Sequence, residues 1–173
     1  IIDDNDRKII GNALPDFTFG FSNDFRYKNF ELNVLMQGSV GFDVVRFDKG
    51  RILNEERFDG WRLDNTDTDI PRNGFLGNVA NTNYIEDASF VKFKNISLGY
   101  NFDSSTIEKL GLSSLKIYVS AIDAIVLTKY TGYDPEINSY ANGDNFQQNV
   151  SIGYDSGGYP GVSQYVMGLN LSF

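Results

Sequence analysis

The chain closes on QYVMGLNLSF, and these residues alternate without a break. Tyr165, Met167, Leu169, Leu171 and Phe173 fall on one side, with Gln164, Val166, Gly168, Asn170 and Ser172 on the other. Strict alternation with a period of two is the mark of a β-strand with one apolar and one polar face. Soluble domains usually finish in a polar, loosely held tail. This strand stops on its apolar side, so the fold must supply a setting in which a greasy strand face is wanted to the end.

Four earlier segments carry the same pattern. In FTFGFSNDFRY, Phe17, Phe19, Phe21, Phe25 and Tyr27 share a face, with Asn23 as the exception. In FELNVLMQGSV, Phe30, Leu32, Val34, Met36 and Val40 oppose Glu31, Asn33, Leu35, Gln37 and Ser39. Only Lys28 and Asn29 lie between these two, which predicts a tight hairpin. A third strand is expected from Phe90 to Phe102, cleanest where Ile96, Leu98, Tyr100 and Phe102 oppose Asn95, Ser97, Gly99 and Asn101. A fourth is expected in LKIYVSAIDAIVL, with Leu115, Ile117, Val119 and Ala121 against Lys116, Tyr118 and Ser120.

The connections alternate between short and long. The stretch DSSTIEKLGLSS predicts one or two helical turns, capped by Ser104 or Ser105, with Glu108 in capping-box position and Gly111 as the stop. Gly41 to Ser89 and Thr128 to about Gly161 are far longer than the roughly 12–15 residues at which structureless loops become uncommon. Short turns at one end and long polar loops at the other, joining strands of about 10 alternating residues, are the pattern of a transmembrane β-barrel. Aromatic residues at strand ends, among them Phe17, Tyr27, Phe30, Tyr100 and Tyr165, suit interfacial girdles. The alternative is a soluble or surface-attached β-sandwich binding glycans or a protein partner, in which Phe19, Phe21, Leu169 and Leu171 would be buried between two sheets.

Composition excludes several activities. There is no Cys and no His, which removes thiol nucleophiles, the Ser-His-Asp triad and the usual zinc sites. A net charge of −8 argues against a nucleic-acid partner. No apolar run approaches the roughly 18 residues of a membrane-spanning helix. The opening, IIDDNDRKII, starts without Met and does not read as an export signal, so the chain is expected to be a piece of a longer polypeptide or a processed product. No catalytic constellation emerges, and no enzyme activity is expected.

Several motifs in order, DNDRKIIGNALPDFTFGFSNDFRYKNFELNVLMQGS, DASFVKFKNISLGYNF, LKIYVSAIDAIVLTKYTGYDPEI and GGYPGVSQYVMGLNLSF, resemble the C-terminal part of the SusC/RagA family. These are TonB-dependent outer-membrane transporters of Bacteroidetes. The resemblance implies an all-β fold: a transmembrane antiparallel barrel of about 22 strands, plugged by an N-terminal domain, of which residues 1–173 would supply the last five strands. It implies a SusD-like lipoprotein partner, uptake of oligosaccharides or peptides, contact with outer-membrane lipid, and energy from TonB through the missing N-terminal part. It places the C-terminus in the periplasm and the long loops outside the cell. Phe173 would then resemble the C-terminal signal read during membrane insertion.

Candidate site residues lie in the long loops. Trp61, Tyr84, Tyr130, Tyr133 and Tyr159 offer aromatic faces for stacking on sugars or for contact with the lid. The acidic run containing Asp3, Asp4 and Asp6 offers oxygen ligands suited to calcium. Arg26 and Glu31 flank the hairpin turn and are expected to pair across it.

Overall fold

The computed structural model describes residues 8–46, 61–68, 82–137, 152–155, 157, 159 and 161–173. Among the described residues eight strands form in chain order: β1 Phe17–Tyr27, β2 Phe30–Val40, β3 Asp43–Arg46, β4 Ile85–Asp87, β5 Phe90–Asn101, β6 Ser114–Thr128, β7 Tyr154–Asp155 and β8 Gln164–Ser172. A short helix, α1, spans Ser104–Ile107 and runs on into a 3₁₀ turn at Glu108–Leu110. No described helix is long and apolar enough to cross a membrane, which says nothing of strands.

The chain divides into two compact units. One is a five-stranded sheet with the order β1-β2-β5-β6-β8. Its strands are the five the alternation predicts, and they neighbour one another in the order in which they occur. Register carries the side-chain pattern across the sheet. Leu32 pairs with Leu98, Leu98 with Val119, and Val119 with Met167. The next polar row sets Asn33 against Ser97 and Ser97 against Ser120. A one-residue slip would put polar groups into the apolar rows, so each pairing is strongly specified.

The register breaks once, at one level across three strands. Asn95 pairs with Leu35, but Phe93 pairs with Met36, so β5 passes over Lys94. Against β6, Phe93 pairs with Ile125 and Asn95 with Ile122. Asp123 there takes φ 49°, the left-handed conformation a bulge commonly needs. Its carboxylate lies 3.4 Å from the Lys94 ammonium. The extra residue resets the phase of β5: without it, Val91 and Phe93 would share the face of Asn95 and Ser97. This is why the sequence alternates cleanly only from Ile96 onward.

The turns close one end of this sheet. Lys28 takes φ 52°, as a two-residue hairpin loop asks of one of its residues. Gly111 takes φ 70° and ends the helical connection as expected. The start of that connection differs from expectation. Asp103, not Ser104 or Ser105, holds the N-cap position, and no side-chain cap bond forms. The Asp103 carboxylate accepts instead from Asn29 Nδ2 at 2.8 Å, which ties the helical turn to the hairpin turn.

The other unit is built from the residues before β1, the connection from β2 to β5, and the connection from β6 to β8. Its small sheet has the order β4-β3-β7, with β3 antiparallel to β4 and parallel to β7. Val44, Ala88 and Tyr130 form its buried centre, with Phe42 and Ile137 packed against them.

Candidate functional site

The five-stranded sheet has two chemically distinct faces. On the apolar face Tyr165, Met167, Leu169 and Phe21 are 78%, 75%, 60% and 51% exposed. A soluble monomer rarely shows an apolar surface of this extent. The burial that a sandwich requires of Phe21, Leu169 and Leu171 does not occur.

On the polar face the side chains satisfy one another. Arg26 Nε lies 3.6 Å from Glu31 Oε1, the pair expected across the hairpin. Glu31 also accepts from Lys116, which sits on β6, two strands away. Gly99 leaves room for this reach. A Cβ at that position would lie 2.6 Å from Lys116 Cε, so a side chain there would push the end of the lysine aside. Asn33 Nδ2 donates to Asp24 at 2.6 Å, Asn95 Nδ2 to Asn33 at 3.0 Å, and Ser120 to Ser97 at 2.8 Å. All of these groups but Ser120 line a shallow polar cup of about 260 Å³. Further along, the Tyr118 ring covers its register partner Gly168. The arrangement has matched charges and no activated nucleophile. It suits a surface that meets water or polar ligand.

The loop unit has a charged interior that the sequence did not announce. Arg46 is 7% exposed, and its Nη1 donates to Thr131 Oγ1 at 2.5 Å and lies 3.5 Å from Glu86 Oε1. Thr131 in turn donates to Glu86 from its backbone N–H at 3.0 Å and from its hydroxyl. The guanidinium sits 5.7 Å from the Tyr130 ring centroid, within cation–π range. The Tyr130 hydroxyl donates to Asp155 Oδ2 at 2.5 Å, and Gly157 N–H to Asp155 Oδ1 at 2.8 Å. Burial pushes the Tyr84 phenol up from its ordinary value. Hydrogen bonds from the Ser89 side chain and backbone N–H hold the Asp87 carboxyl below its ordinary value, with Lys129 adding to the effect.

The aromatic residues expected to meet a ligand divide into two groups. Trp61, Tyr133 and Tyr159 are 39%, 67% and 98% exposed. Tyr84 and Tyr130 are 2% and 6% exposed, so their rings serve the packing of the loop unit and present no face for stacking. Phe173 follows β8 and is 91% exposed. Asp3, Asp4 and Asp6 lie outside the described residues. Among the described residues no group of three or more carboxylates is placed to hold a metal ion. Arg46, Asp155 and Lys92, the last 3% exposed on the sheet, are buried charges that sequence inspection passed over.

No family model matches the chain. It is 41% identical over 174 residues to TonB-dependent receptor P3 of Formosa agariphila, covering 97% of this chain and 17% of that protein. It is 26% identical to TonB-dependent receptor SusC of Bacteroides thetaiotaomicron, covering 99% of this chain and 16% of that protein. The solved structure of the RagAB peptide transporter superposes with a TM-score of 0.74 at 26% identity, covering 93% of this chain and 17% of the other. The chain thus spans about a sixth of the length of the relatives it matches, and these are receptors and importers, not enzymes. The open two-faced sheet is accordingly an arc of a β-barrel wall, and the chain belongs to the SusC/RagA family of TonB-dependent receptors.

Proposed function

We propose that residues 1–173 form five adjacent wall strands of an outer-membrane importer, closing the C-terminal side of a plugged barrel. The observation that carries this reading is the division of the sheet into an exposed apolar face and a self-satisfied polar face. A wall between lipid and water needs both. On this reading Leu169 and its row meet lipid, and Lys116 and its row meet the lumen. The long connections lie outside the cell, the turns at Lys28 and at α1 lie in the periplasm, and Phe173 acts in membrane insertion.

The transported cargo is an oligosaccharide or a peptide, delivered together with a SusD-like lipoprotein. The exposed Trp61, Tyr133 and Tyr159 contact cargo or lid, and TonB acts through the part of the barrel protein outside this chain. Likeness to a RagAB peptide transporter supports a peptide cargo. A strain lacking the gene tests it. Loss of uptake of labelled oligopeptides or of labelled oligosaccharides, restored by the full-length gene, is the expected result. Recovery of the full-length protein from the soluble fraction without detergent would overturn the wall reading itself.

A further inference from the structure

We propose that residues 42–46 and 84–88 of one long connection and 129–137 and 152–155 of the other open and close as one cooperative body, with Arg46 at their junction, so that a contact stabilising either part stabilises both. The proposal is independent of what the protein carries.

Beside the contacts within each connection, a set of described contacts runs between the two. Arg46 and Glu86 belong to the connection between β2 and β5, and Tyr130, Thr131 and Asp155 to the connection between β6 and β8. Thr131 Oγ1 accepts from Arg46 and donates to Glu86, so a residue of the second connection completes the ion pair of the first. The small sheet is shared in the same way. β7 of the second connection lies parallel to β3 of the first, with Arg46 opposite Asp155, and Val45 N–H donates to Gly153 O at 2.8 Å. The apolar centre is shared as well, since Val44 and Ala88 come from one connection and Tyr130 from the other.

Opening either connection alone would break the bonds that cross between them: Arg46 and Glu86 would lose Thr131, Arg46 would lose the Tyr130 ring, and Val45 N–H would lose Gly153 O. Arg46 is 7% exposed, and a hydrogen bond to a buried charged group is more costly to lose than an exposed contact. The low-energy opening is therefore a joint one. By linkage, whatever binds and orders either connection then stabilises the other.

Hydrogen exchange of the full-length protein in detergent tests this, read in peptides covering residues 84–88 and 130–137. In the unaltered protein both segments are expected to share one protection level. Arg46→Met should raise exchange at least about tenfold in both segments and leave β1 and β2 unchanged. A rise confined to the first connection, or different protection of the two segments in the unaltered protein, would overturn the proposal. Should Arg46→Met fail to fold, Thr131→Val removes the hydroxyl between Arg46 and Glu86 while keeping the shape. Faster exchange at 84–88 as well as at 130–137 then supports the fastening, and a change at 130–137 alone refutes it.

Discussion

Replacing Leu169 by Arg should damage the barrel far more than replacing its neighbour Asn170 by Arg. Leu169 pairs with Ile117 in an exposed apolar row, near the middle of the β8 span. An Arg on a lipid-facing midplane position costs roughly 2–4 kcal/mol. Asn170 stands on the opposite face and pairs with Lys116, so an Arg there meets a like charge across the strands, at a cost of roughly 0.2–1 kcal/mol. The two substitutions differ by roughly 1–4 kcal/mol, or from about fivefold to several hundredfold in the folding equilibrium. Asn170→Glu supplies a further arm: it sets a carboxylate opposite Lys116 and should be at least as stable as the natural residue. The assay is folding of the full-length protein into lipid vesicles across a urea series, scored by heat-modifiable gel migration. Equal tolerance of the two Arg variants, or a larger loss for Asn170→Arg, would refute the assignment of faces and with it the reading of β8 as barrel wall.

Gly99→Val should displace Lys116 from Glu31, because a Cβ at this position meets the lysine side chain. A small loss of stability is expected in the same vesicle assay, and Lys116→Met in the Gly99→Val background should add little. Tyr130→Phe removes the donor to the buried Asp155 Oδ2 and should cost the loop unit about 1–3 kcal/mol, measured as faster hydrogen exchange at residues 152–155. Asp87 has its folded pKa depressed by Ser89, so it contributes stability above the unfolded carboxylate value of about 4, and this contribution is lost as pH falls through the lower folded value. Protection at residues 84–88 should therefore drop on acidification below about pH 4. Asp87→Asn, whose carbonyl still accepts from Ser89 N–H, should flatten that pH dependence.

Strand identity and facing were legible in the sequence because alternation is local. Phe17 to Tyr27 or Gln164 to Ser172 each declare two faces without reference to any other part of the chain, and a two-residue gap at Lys28 and Asn29 forces a hairpin. The Arg26–Glu31 pair was legible for the same reason, since both residues flank that turn. Alternation could not say what happens where its own phase breaks. The bulge at Lys94 and Asp123 is settled by pairing with β2 and β6, and it alone returns Val91 and Phe93 to the apolar face.

The loops were the other limit. Trp61, Tyr84, Tyr130, Tyr133 and Tyr159 look alike as letters, and the sequence offers no period that separates a buried ring from an exposed one. Tyr130 is drawn inward by Arg46 and Asp155, both far along the chain. Arg46 and Thr131 are 85 positions apart, as are Glu31 and Lys116. A periodic pattern records only which neighbours along the chain share an environment, so it fixed the wall. Contacts that join distant segments are chosen by packing and by the cost of burying a charge alone. The fastening of the loops and the lysine laid across Gly99 were therefore decided by the tertiary structure.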